Sequence, residues 1–293
     1  MKSKFLKSVY LLIVSVIGFF LAEAGGFGPI GSNPVNLQQA GDTVSVLSVG
    51  QANSTLISSG GKYCLIDAGY TNTGHTDVVS YLRRAGVIEL ELVVVTHFHS
   101  DHTSDIIDVM NSFRIKNMII PKLTVENVPT TSFFDLFLDT VERRRINLIP
   151  AQKGNEYTVG SGTLTVLDDT YNDLTINDTS VATLFRQGDF TFLNTADGEE
   201  EYEKRLLGVF SEKVTLFTAG HHGSYTSNTK KFIQTIRPDF VAVSAGKDND
   251  YGHPHKSVIE RLEKEGIPYG ITFRDGTIVY SITENKLLTD TGD

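Results

Sequence analysis

The sequence predicts an α+β fold in which two β-sheets pack face to face and helices cover their outer surfaces. Short apolar runs with the length of strands occur in groups, with helix-like segments between them. The last third of the chain instead alternates strands and helices cleanly. Grouped strands with interspersed helices are typical of a layered domain with one core. Because no Pro/Gly-rich linker interrupts residues 42–285, we expect one domain there.

The first half of this domain begins with strands and then mixes strands with helices. Strand patterns occupy residues 43–49, 54–58, 62–67, 90–95 and 117–120. Apolar residues with helical spacing occupy residues 77–85, 103–113 and 132–145. The strand at 90–95 contains the uninterrupted run Leu92-Val93-Val94-Val95, which predicts that it is buried.

The second half has short strands followed by strand–helix pairs. The short strands are predicted at residues 147–150, 162–167, 180–185 and 190–194. Strand 214–218 then leads to helix 228–236, and strand 240–244 leads to helix 256–265. A closing pair of strands is predicted at 269–273 and 277–282, joined by the turn Arg274-Asp275-Gly276.

The N-terminus has the pattern of a targeting segment. Three lysines precede an apolar run at residues 9–22, and Ala22-Glu23-Ala24 matches a small-residue cleavage site. A membrane-spanning helix needs about 20 apolar residues, so the run is short for one. Residues 1–24 are therefore predicted to be a cleaved signal peptide of a secreted or periplasmic bacterial protein, which keeps no stable membrane span after cleavage. An uncleaved N-terminal anchor is the weaker alternative.

Two further segments are predicted to lie outside the folded domain. Residues 25–41 are rich in Gly, Pro, Asn and Gln and are predicted to be a linker, and residues 286–293 are predicted to be a C-terminal tail. The single cysteine, Cys64, excludes an intrachain disulfide and a cysteine-based zinc ribbon. It lies in a strand pattern and is predicted to be a small buried apolar residue.

The charge of the chain narrows its function. The formal net charge is −9, and removal of residues 1–24 takes away three lysines and Glu23, which leaves about −11. A protein that binds nucleic acid tightly usually presents a basic face. The acidic balance therefore disfavours a dedicated nucleic-acid binder, but it does not exclude an enzyme that meets a phosphodiester only at bound metal ions.

Residues 96–102, Thr-His-Phe-His-Ser-Asp-His, are the most informative stretch of the chain. His97 and His99 are two residues apart directly after a strand, so both rings point to the same side of an extended segment. Asp101 and His102 follow where a helix should begin and can approach the same point from the other side. Imidazole nitrogens and carboxylate oxygens bind zinc and similar ions. This arrangement predicts two adjacent divalent ions rather than one.

Other candidate ligands follow the C-terminal ends of predicted strands, where sheet-based enzymes often have their sites. They are Asp67, Asp197, the pair His221-His222, and the pair His253 and His255. One carboxylate at a strand end is commonplace. Four such segments together with the histidine-rich stretch predict a metal-dependent active site.

Seven short motifs follow one another in an order that resembles a known family. They occupy residues 49–54, 65–69, 96–102, 177–180, 194–197, 220–224 and 251–255. On these motifs, residues 42–282 resemble the metallo-β-lactamase-fold hydrolases, and more closely the branch that contains the C-terminal domain of the ComEC/Rec2 competence proteins and secreted relatives. The resemblance implies a four-layer αββα sandwich, with two mixed β-sheets flanked by helices.

The resemblance also implies a role for each site residue. His97 and His99 would hold a first metal, Asp101 and His102 a second, and Asp197 would bridge both. One member of the His221-His222 pair would complete the second site. The family pattern favours His221 as this ligand and leaves His222 facing substrate. Asp67 would orient a ligand histidine through a hydrogen bond.

One departure from the wider superfamily concerns the first metal. No histidine lies between residues 103 and 196, where the superfamily supplies another ligand. Asn177 or Asp178 lies about where that ligand belongs. The resemblance therefore implies two Zn²⁺ ions, with a weaker or oxygen-rich first site that would also accept Mn²⁺.

Asp101, Asp197 and His253 are the predicted catalytic residues. Asp197 would fix the separation of the metals, and Asp101 would steer a proton of the attacking water. His253 is either a proton donor or a phosphate contact, with a structural loop histidine as the alternative. Ser224 either contacts substrate or caps the following helix.

These residues predict a secreted hydrolase that attacks with a metal-activated water. A phosphodiester is the favoured substrate, either extracellular nucleic acid or a phosphocholine-type ester of a cell-surface polymer. A lactone, thioester or β-lactam on the same site is the first alternative. A secreted metal-binding protein with a degenerate site is the non-catalytic alternative. The sequence predicts neither the natural substrate nor the oligomeric state.

Overall fold

The computed structural model describes residues 40–69, 75–125, 127–168 and 175–289, and every structural statement below refers to these ranges. They lie in one compact unit of the chain, Pro34–Asp293. The predicted signal peptide and residues 25–39 of the predicted linker lie outside the described residues. Within the described ranges, no helix combines the length and the apolar character needed to cross a membrane.

The described strands form two mixed β-sheets. The strands are β1 (Thr43–Val46), β2 (Thr55–Ser59), β3 (Lys62–Ile66), β4 (Glu89–Val94), β5 (Arg114–Ile120), β6 (Asn147–Pro150), β7 (Glu156–Val159), β8 (Gly162–Asp168), β9 (Ala182–Gln187), β10 (Phe190–Asn194), β11 (Leu216–Thr218), β12 (Phe240–Val243), β13 (Tyr269–Ile271), β14 (Ile278–Ser281) and β15 (Lys286–Thr289). One sheet has the order β15-β14-β1-β2-β3-β4-β5-β6, and the other has the order β13-β12-β11-β10-β9-β8-β7. Strands β3 to β6 and strands β10 to β13 run parallel, and the remaining pairs are antiparallel.

The described ranges contain eight α-helices. They are α1 (Val78–Arg84), α2 (Ser100–Thr103), α3 (Ile106–Ser112), α4 (Ser132–Arg144), α5 (Glu200–Leu207), α6 (Lys230–Ile236), α7 (Lys256–Lys264) and α8 (Thr272–Asp275). Three of them begin at a polar residue whose side chain accepts a hydrogen bond from the first turn: Asp77 before α1, Thr131 before α4 and Thr229 before α6. Such caps satisfy backbone N–H groups that the helix itself leaves free.

Apolar side chains form three buried layers. Residues such as Ile66, Val94 and Phe192 pack between the two sheets. On the outer face of the eight-stranded sheet, side chains of α1, α3 and α4 pack against the strands. On the outer face of the seven-stranded sheet, α5, α6 and α7 do the same. This is the α+β fold that the sequence predicts, with four layers in the order αββα.

The run Leu92-Val93-Val94-Val95, in the second half of strand β4 and just after it, is apolar without interruption because both of its faces are covered. Leu92 and Val94 face the other sheet, whereas Leu90 and Val93 face the helices. A strand that is covered on both faces by apolar layers has no solvent side, so polar residues do not alternate with apolar ones. Polar residues occur before this run, at Glu89 and Glu91, and directly after it, at Thr96 and His97.

The two predicted closing strands are present, but their predicted pairing with each other is wrong. Strand β13 pairs in parallel with β12 in the seven-stranded sheet, and β14 pairs with β1 in the eight-stranded sheet. The segment predicted as a hairpin turn is the helical turn α8, in which Asp275 Oδ2 accepts a hydrogen bond of 2.8 Å from the N–H of Ile271. The chain therefore crosses from one sheet to the other at a point where local residue preferences also suit a turn.

Two strands at sheet edges were not predicted. Strand β7 ends the seven-stranded sheet, and β15 ends the eight-stranded sheet within the segment that the sequence assigns to the tail. Strand β7 buries only one of its four residues. An edge strand with so little apolar pattern gives a weak sequence signal.

Candidate metal centre

The ends of five parallel strands converge at one side of the sandwich. Asp67 follows β3, and His97 follows β4. Asp197, the His221-His222 pair and Ser244 follow β10, β11 and β12. The sheets therefore bring these residues together although they are far apart in the chain, as is usual for strands that end at a common edge.

Four side chains at this side of the sandwich form one compact group of possible metal ligands. Asp101, His102, Asp197 and His222 each place a ligand atom within 4.8 Å of the others. His102 Nε2 lies 3.1 Å from Asp197 Oδ1, and His222 Nε2 lies 3.1 Å from Asp101 Oδ2. All but Asp101 are buried.

A second, smaller group shares Asp197 with the first. It consists of His97, His99 and Asp197, again with ligand atoms within 4.8 Å of one another. His97 Nε2 lies 3.0 Å from His99 Nδ1 and 3.8 Å from Asp197 Oδ2. This group has three members and the other has four, which matches the histidine-free gap in the sequence.

Fixed acceptors determine how the histidine rings point. Asp67 Oδ2 lies 2.7 Å from His102 Nδ1, and the carbonyl of Ser244 lies 3.0 Å from His222 Nδ1. Both acceptors receive a hydrogen bond from Nδ1–H. In the neutral ring the lone pair is then on Nε2, and in both His102 and His222 it faces a carboxylate oxygen of the four-membered group. Two lone pairs at about 3 Å repel each other unless a proton or a cation lies between them.

Asp67 is held in place in turn by Thr96. The backbone N–H of Thr96 donates to Asp67 Oδ1 at 2.8 Å, and its hydroxyl donates to Oδ2 at 2.7 Å. The same hydroxyl oxygen lies 3.2 Å from His97 Nδ1, from which it can accept. Asp67 and Thr96 thus orient one histidine of each group.

The charges of the groups fit a divalent cation. Burial lowers the pKa of His102, but Asp197 and Asp67 outweigh burial and hold that pKa well above its ordinary value. Burial raises the pKa of Asp197, but His102 and His222 outweigh it and hold that pKa well below the ordinary value. Asp197 Oδ1 is buried and has no hydrogen-bond partner of suitable geometry among the described residues. A cation would satisfy this oxygen and replace the protons on the histidines.

His222, and not the favoured His221, belongs to the four-membered group. Both residues have a left-handed backbone, with φ of 54° for His222 and 49° for His221. This directs His222 Nδ1 to the carbonyl of Ser244, and its Nε2 to Asp101. His221 instead places Nδ1 3.4 Å from Glu199 Oε1 and keeps Nε2 3.8 Å from Asp197 Oδ2.

The side chain of Asn228 closes the loop that carries the two histidines. Its Oδ1 accepts from the N–H of Gly220 at 2.9 Å, and its Nδ2 donates to the carbonyls of Gly220 and Ser224 at 2.8 and 3.2 Å. Gly223 has φ of 80°, and a Cβ there would lie 2.6 Å from Pro254 Cβ. A loop with this backbone therefore needs glycine after the histidines and an amide that bridges both of its ends.

The two groups open into a polar cavity of about 290 Å³. His99, Asp101, Asp197, His221 and His222 contribute to its wall. His253, predicted as catalytic, also lines it, and its Nδ1 lies 3.2 Å from Gln51 Nε2. Burial, aided by His222 and His221, lowers the pKa of His253 to about 4, so this ring is neutral near neutral pH.

Two other predicted residues lie outside both groups. Asp178 Oδ1 accepts a hydrogen bond of 2.9 Å from the N–H of Glu199, just before α5. Ser224 is buried, and its hydroxyl lies 3.0 Å from Thr226 Oγ1. Neither residue is part of the cavity wall. The predicted contact of Ser224 with substrate and the predicted ligand role of Asp178 stay predictions.

Sequence reasoning missed three residues of the cavity wall and one neighbour. Gln51, Ser100 and Tyr251 line the cavity, as does Asn177, which the sequence leaves open as a ligand. Glu199, just before α5, lies beside His221. Gln51 and Tyr251 belong to motifs that carry the family resemblance, so their position in a motif was the available signal.

A protein-family comparison identifies the chain. Residues 47–247, more than half of it, match the model of the Metallo-beta-lactamase superfamily. The chain belongs to the metallo-beta-lactamase superfamily. This confirms the predicted family and the predicted class of enzyme, a hydrolase of this superfamily. The metal-binding groups described above therefore lie in a metallo-beta-lactamase domain.

Relatives of this metallo-beta-lactamase-superfamily chain include much longer proteins. ComE operon protein 3 of Bacillus subtilis is 26% identical over 248 residues, which are 82% of this chain and 31% of that protein. Recombination protein 2 of Haemophilus influenzae is 28% identical over 230 residues, which are 75% of this chain and 26% of that protein. These matches confirm the predicted resemblance to the ComEC/Rec2 branch. The chain spans less than a third of the length of either relative.

The solved structures confirm the fold. The metallo-beta-lactamase fold protein YhfI of Bacillus subtilis superposes with a TM-score of 0.55 at 14% identity, over 78% of this chain and 96% of that one. At this identity the likeness concerns the architecture alone.

Proposed function

We propose that this protein is a two-metal phosphodiesterase. The observation that carries the proposal is the pair of ligand groups that share Asp197 and open into one cavity. His97, His99 and Asp197 would hold one ion, and the other would be held by Asp101, His102, Asp197 and His222. Ions held there would lower the pKa of a bound water and polarise the phosphoryl oxygen under attack.

The side chains around the two groups have separate tasks. Asp67 and the Ser244 carbonyl orient His102 and His222, so that each Nε2 faces the site. Gln51 Nε2 donates to His253 Nδ1, so the neutral His253 ring carries its proton on Nε2. His253 would therefore donate a hydrogen bond to a phosphate oxygen. Of the roles that the sequence leaves open, this one suits a pKa of about 4.

The cavity favours a charged diester over an apolar ester. Its wall consists of histidines, carboxylates, amides and the hydroxyl residue Ser100, with one tyrosine ring from Tyr251. Pockets for uncharged ligands are lined mainly by apolar side chains. The names of the relatives, a competence-operon protein and a recombination protein, also favour nucleic acid as the polymer. A phosphocholine-type diester is the alternative within the same chemical class.

The donor sets support zinc at both positions. Two imidazoles with one or two carboxylates suit Zn²⁺, and a site with three protein ligands keeps a position open for water or substrate. Because the three-membered group is one ligand short of the other, it would bind more weakly and would also accept Mn²⁺. We propose export as the route to an extracellular or periplasmic substrate, which predicts a mature chain that starts at Gly25.

Hydrolysis of bis(p-nitrophenyl) phosphate tests the proposed function. Protein stripped of metal and reloaded with Zn²⁺ or Mn²⁺ should release p-nitrophenol, and Asp197→Ala and His99→Ala should abolish the release. His75→Ala is the matched control, because His75 belongs to neither ligand group. A panel of DNA, RNA, p-nitrophenylphosphorylcholine, a lactone and nitrocefin then ranks the substrates. Metal-loaded protein that turns over no phosphodiester, or prefers the lactone or nitrocefin, would contradict the proposal.

A further inference from the structure

Three rings form a column that runs from the metal centre to the surface. The rings of His222 and His253 are inclined by 20° with centroids 6.1 Å apart, and those of His253 and Tyr251 by 23° with centroids 5.6 Å apart. His222 is buried, whereas Tyr251 is 68% exposed. The column therefore begins at a candidate metal ligand and ends with a flat aromatic face in solvent.

The loop that carries Tyr251 is held in one shape. Asn249 Oδ1 accepts from the N–H groups of Tyr251 and His253 at 3.1 and 3.0 Å. Asn249 Nδ2 donates to the carbonyls of Gly246 and His253 at 2.8 and 2.6 Å. One side chain thus organises the whole loop, and the tyrosine ring is placed before any ligand arrives. Preorganisation of this kind reduces the entropy that binding costs.

We propose that Tyr251 forms a nucleobase subsite beside the metal centre, an inference that rests on the proposed phosphodiesterase activity. A base next to the phosphodiester in the cavity would stack on the exposed face of Tyr251 and extend the ring column outward. Base stacking on aromatic side chains tolerates any sequence, because every base has a flat π-face. The subsite would select nucleic acid over other diesters without reading its sequence.

The ring geometry favours a base over a quaternary ammonium group. A cage for such a cation needs several ring faces that converge on one point. The second exposed tyrosine at this rim, Tyr225, packs edge-on against His255 at 68° and is not part of the cavity wall. Tyr251 therefore offers a single flat face to a ligand at the rim of the cavity.

Cleavage of a dinucleotide and its abasic analogues tests the subsite. The substrates are d(ApA) and two analogues that each lack the base on one side of the phosphate. Tyr251 offers one stacking position, so only one of the two bases should bind there. In the wild-type enzyme, removal of that base should lower kcat/KM by about fivefold to about a hundredfold, the range that corresponds to aromatic stacking. Tyr251→Ala should lower kcat/KM for d(ApA) by the same factor, and should leave the analogue without that base almost unaffected. Tyr251→Phe keeps the ring and should restore the wild-type value.

Tyr225→Ala is the matched control, because Tyr225 is 64% exposed and lies outside the cavity wall. Equal losses on d(ApA) and on both analogues in Tyr251→Ala would overturn the subsite. A selective loss on p-nitrophenylphosphorylcholine would overturn it in favour of a choline site. If bis(p-nitrophenyl) phosphate is cleaved and d(ApA) is not, the subsite fails while the phosphodiesterase proposal stands.

Discussion

At the residue scale, the geometry of the candidate metal centre depends on a series of hydrogen bonds that fix the orientation of each side chain. Thr96 donates a hydrogen bond to Asp67, and Asp67 accepts one from Nδ1 of His102. The other nitrogen of His102, Nε2, faces Asp197. Each link is buried, so each is strong and each leaves the next group with one defined orientation. In the metal-free protein, the neighbouring carboxylates raise the pKa values of His102 and His222 against the effect of burial, which favours the protonated rings.

Metal binding should therefore release protons and weaken as the pH falls. The sign follows from the raised pKa values of His102 and His222: both rings must lose a proton before they can bind an ion. Calorimetry in buffers of different ionisation enthalpy should show proton release, and the apparent affinity for Zn²⁺ should fall from about pH 8 to about pH 6. An affinity that does not change over this range would show that these histidines do not bind the ion.

Sequence patterns predict which residue types meet at the site, but not the direction of each ring. Sequence spacing identifies most of the ligand candidates in the two groups, namely His97, His99, Asp101 and His102. Position at a strand end identifies Asp197 as a ligand candidate and Asp67 as a further site residue. The choice between His221 and His222 depends on two left-handed backbone positions. Those conformations are imposed by hydrogen bonds to Asn228 and by contact of Gly223 with Pro254, which are tertiary interactions.

At the element scale, the loop between β11 and α6 has a strained backbone that depends on tertiary hydrogen bonds. It holds two consecutive histidines in a left-handed conformation that costs energy outside glycine. Asn228 bridges its two ends, and Arg261 and Glu203 hold the backbone of Asn228 from α7 and α5. Two helices thus support the loop that carries His222.

Asn228→Gly should weaken binding of the ion that His222 would hold. Glycine tolerates the φ of 58° at this position, so the variant removes the side chain without adding backbone strain. We expect a loss of about 10- to 100-fold in affinity for that ion, the usual effect of removing a group that orients a ligand. The affinity for the other ion should change little. Competition with a chromophoric chelator measures both affinities.

Asn285→Gly is the control for this variant. Asn285 also has a positive φ, of 49°, but it lies beside β15 and contacts Tyr280. It should bind both ions like the wild type. If Asn228→Gly also binds both ions like the wild type, the loop does not depend on this amide.

Elements with two buried faces or a clear helical period were predictable, and the junctions between sheets were not. Strand 190–194, which is buried along its whole length, has the predicted limits. Strand 147–150 has them too, although it is an edge strand without a buried residue. The strands β13 and β14 were placed as a hairpin because local preferences describe a turn and not the sheet to which each strand belongs. That choice is made by packing against β12 and β1.

At the scale of the whole molecule, the fold keeps an ionisable group inside its outer helical layer. Glu203 is 1% exposed and accepts hydrogen bonds from the N–H groups of Asn228 and Thr229 at the start of α6. Burial raises the pKa of Glu203 to about 7, although these hydrogen bonds and Arg261 act in the opposite direction. In the unfolded chain the carboxyl has its ordinary, lower pKa.

Glu203 should make the fold less stable as the pH rises. Its pKa is higher in the folded state, so its contribution is fully present below about pH 4.5 and is lost as the pH rises through about 7. The difference in unfolding free energy between the wild type and Glu203→Gln should therefore fall by about 3 kcal/mol across that interval. Urea unfolding of metal-free protein measures it. Glu201→Gln, at a side chain 75% exposed on the same helix, should show no such change. A difference for Glu203→Gln that is constant with pH would contradict the assignment.

The number of metal ions per chain tests the central claim most directly. Elemental analysis should find two zinc ions in the wild type, two in His221→Ala and one in His222→Ala, because only His222 belongs to the four-membered group. The two adjacent histidines serve as each other's control, and circular dichroism verifies the fold of each variant. One ion or none in the wild type, or loss of an ion in His221→Ala but not in His222→Ala, would contradict a two-metal centre completed by His222.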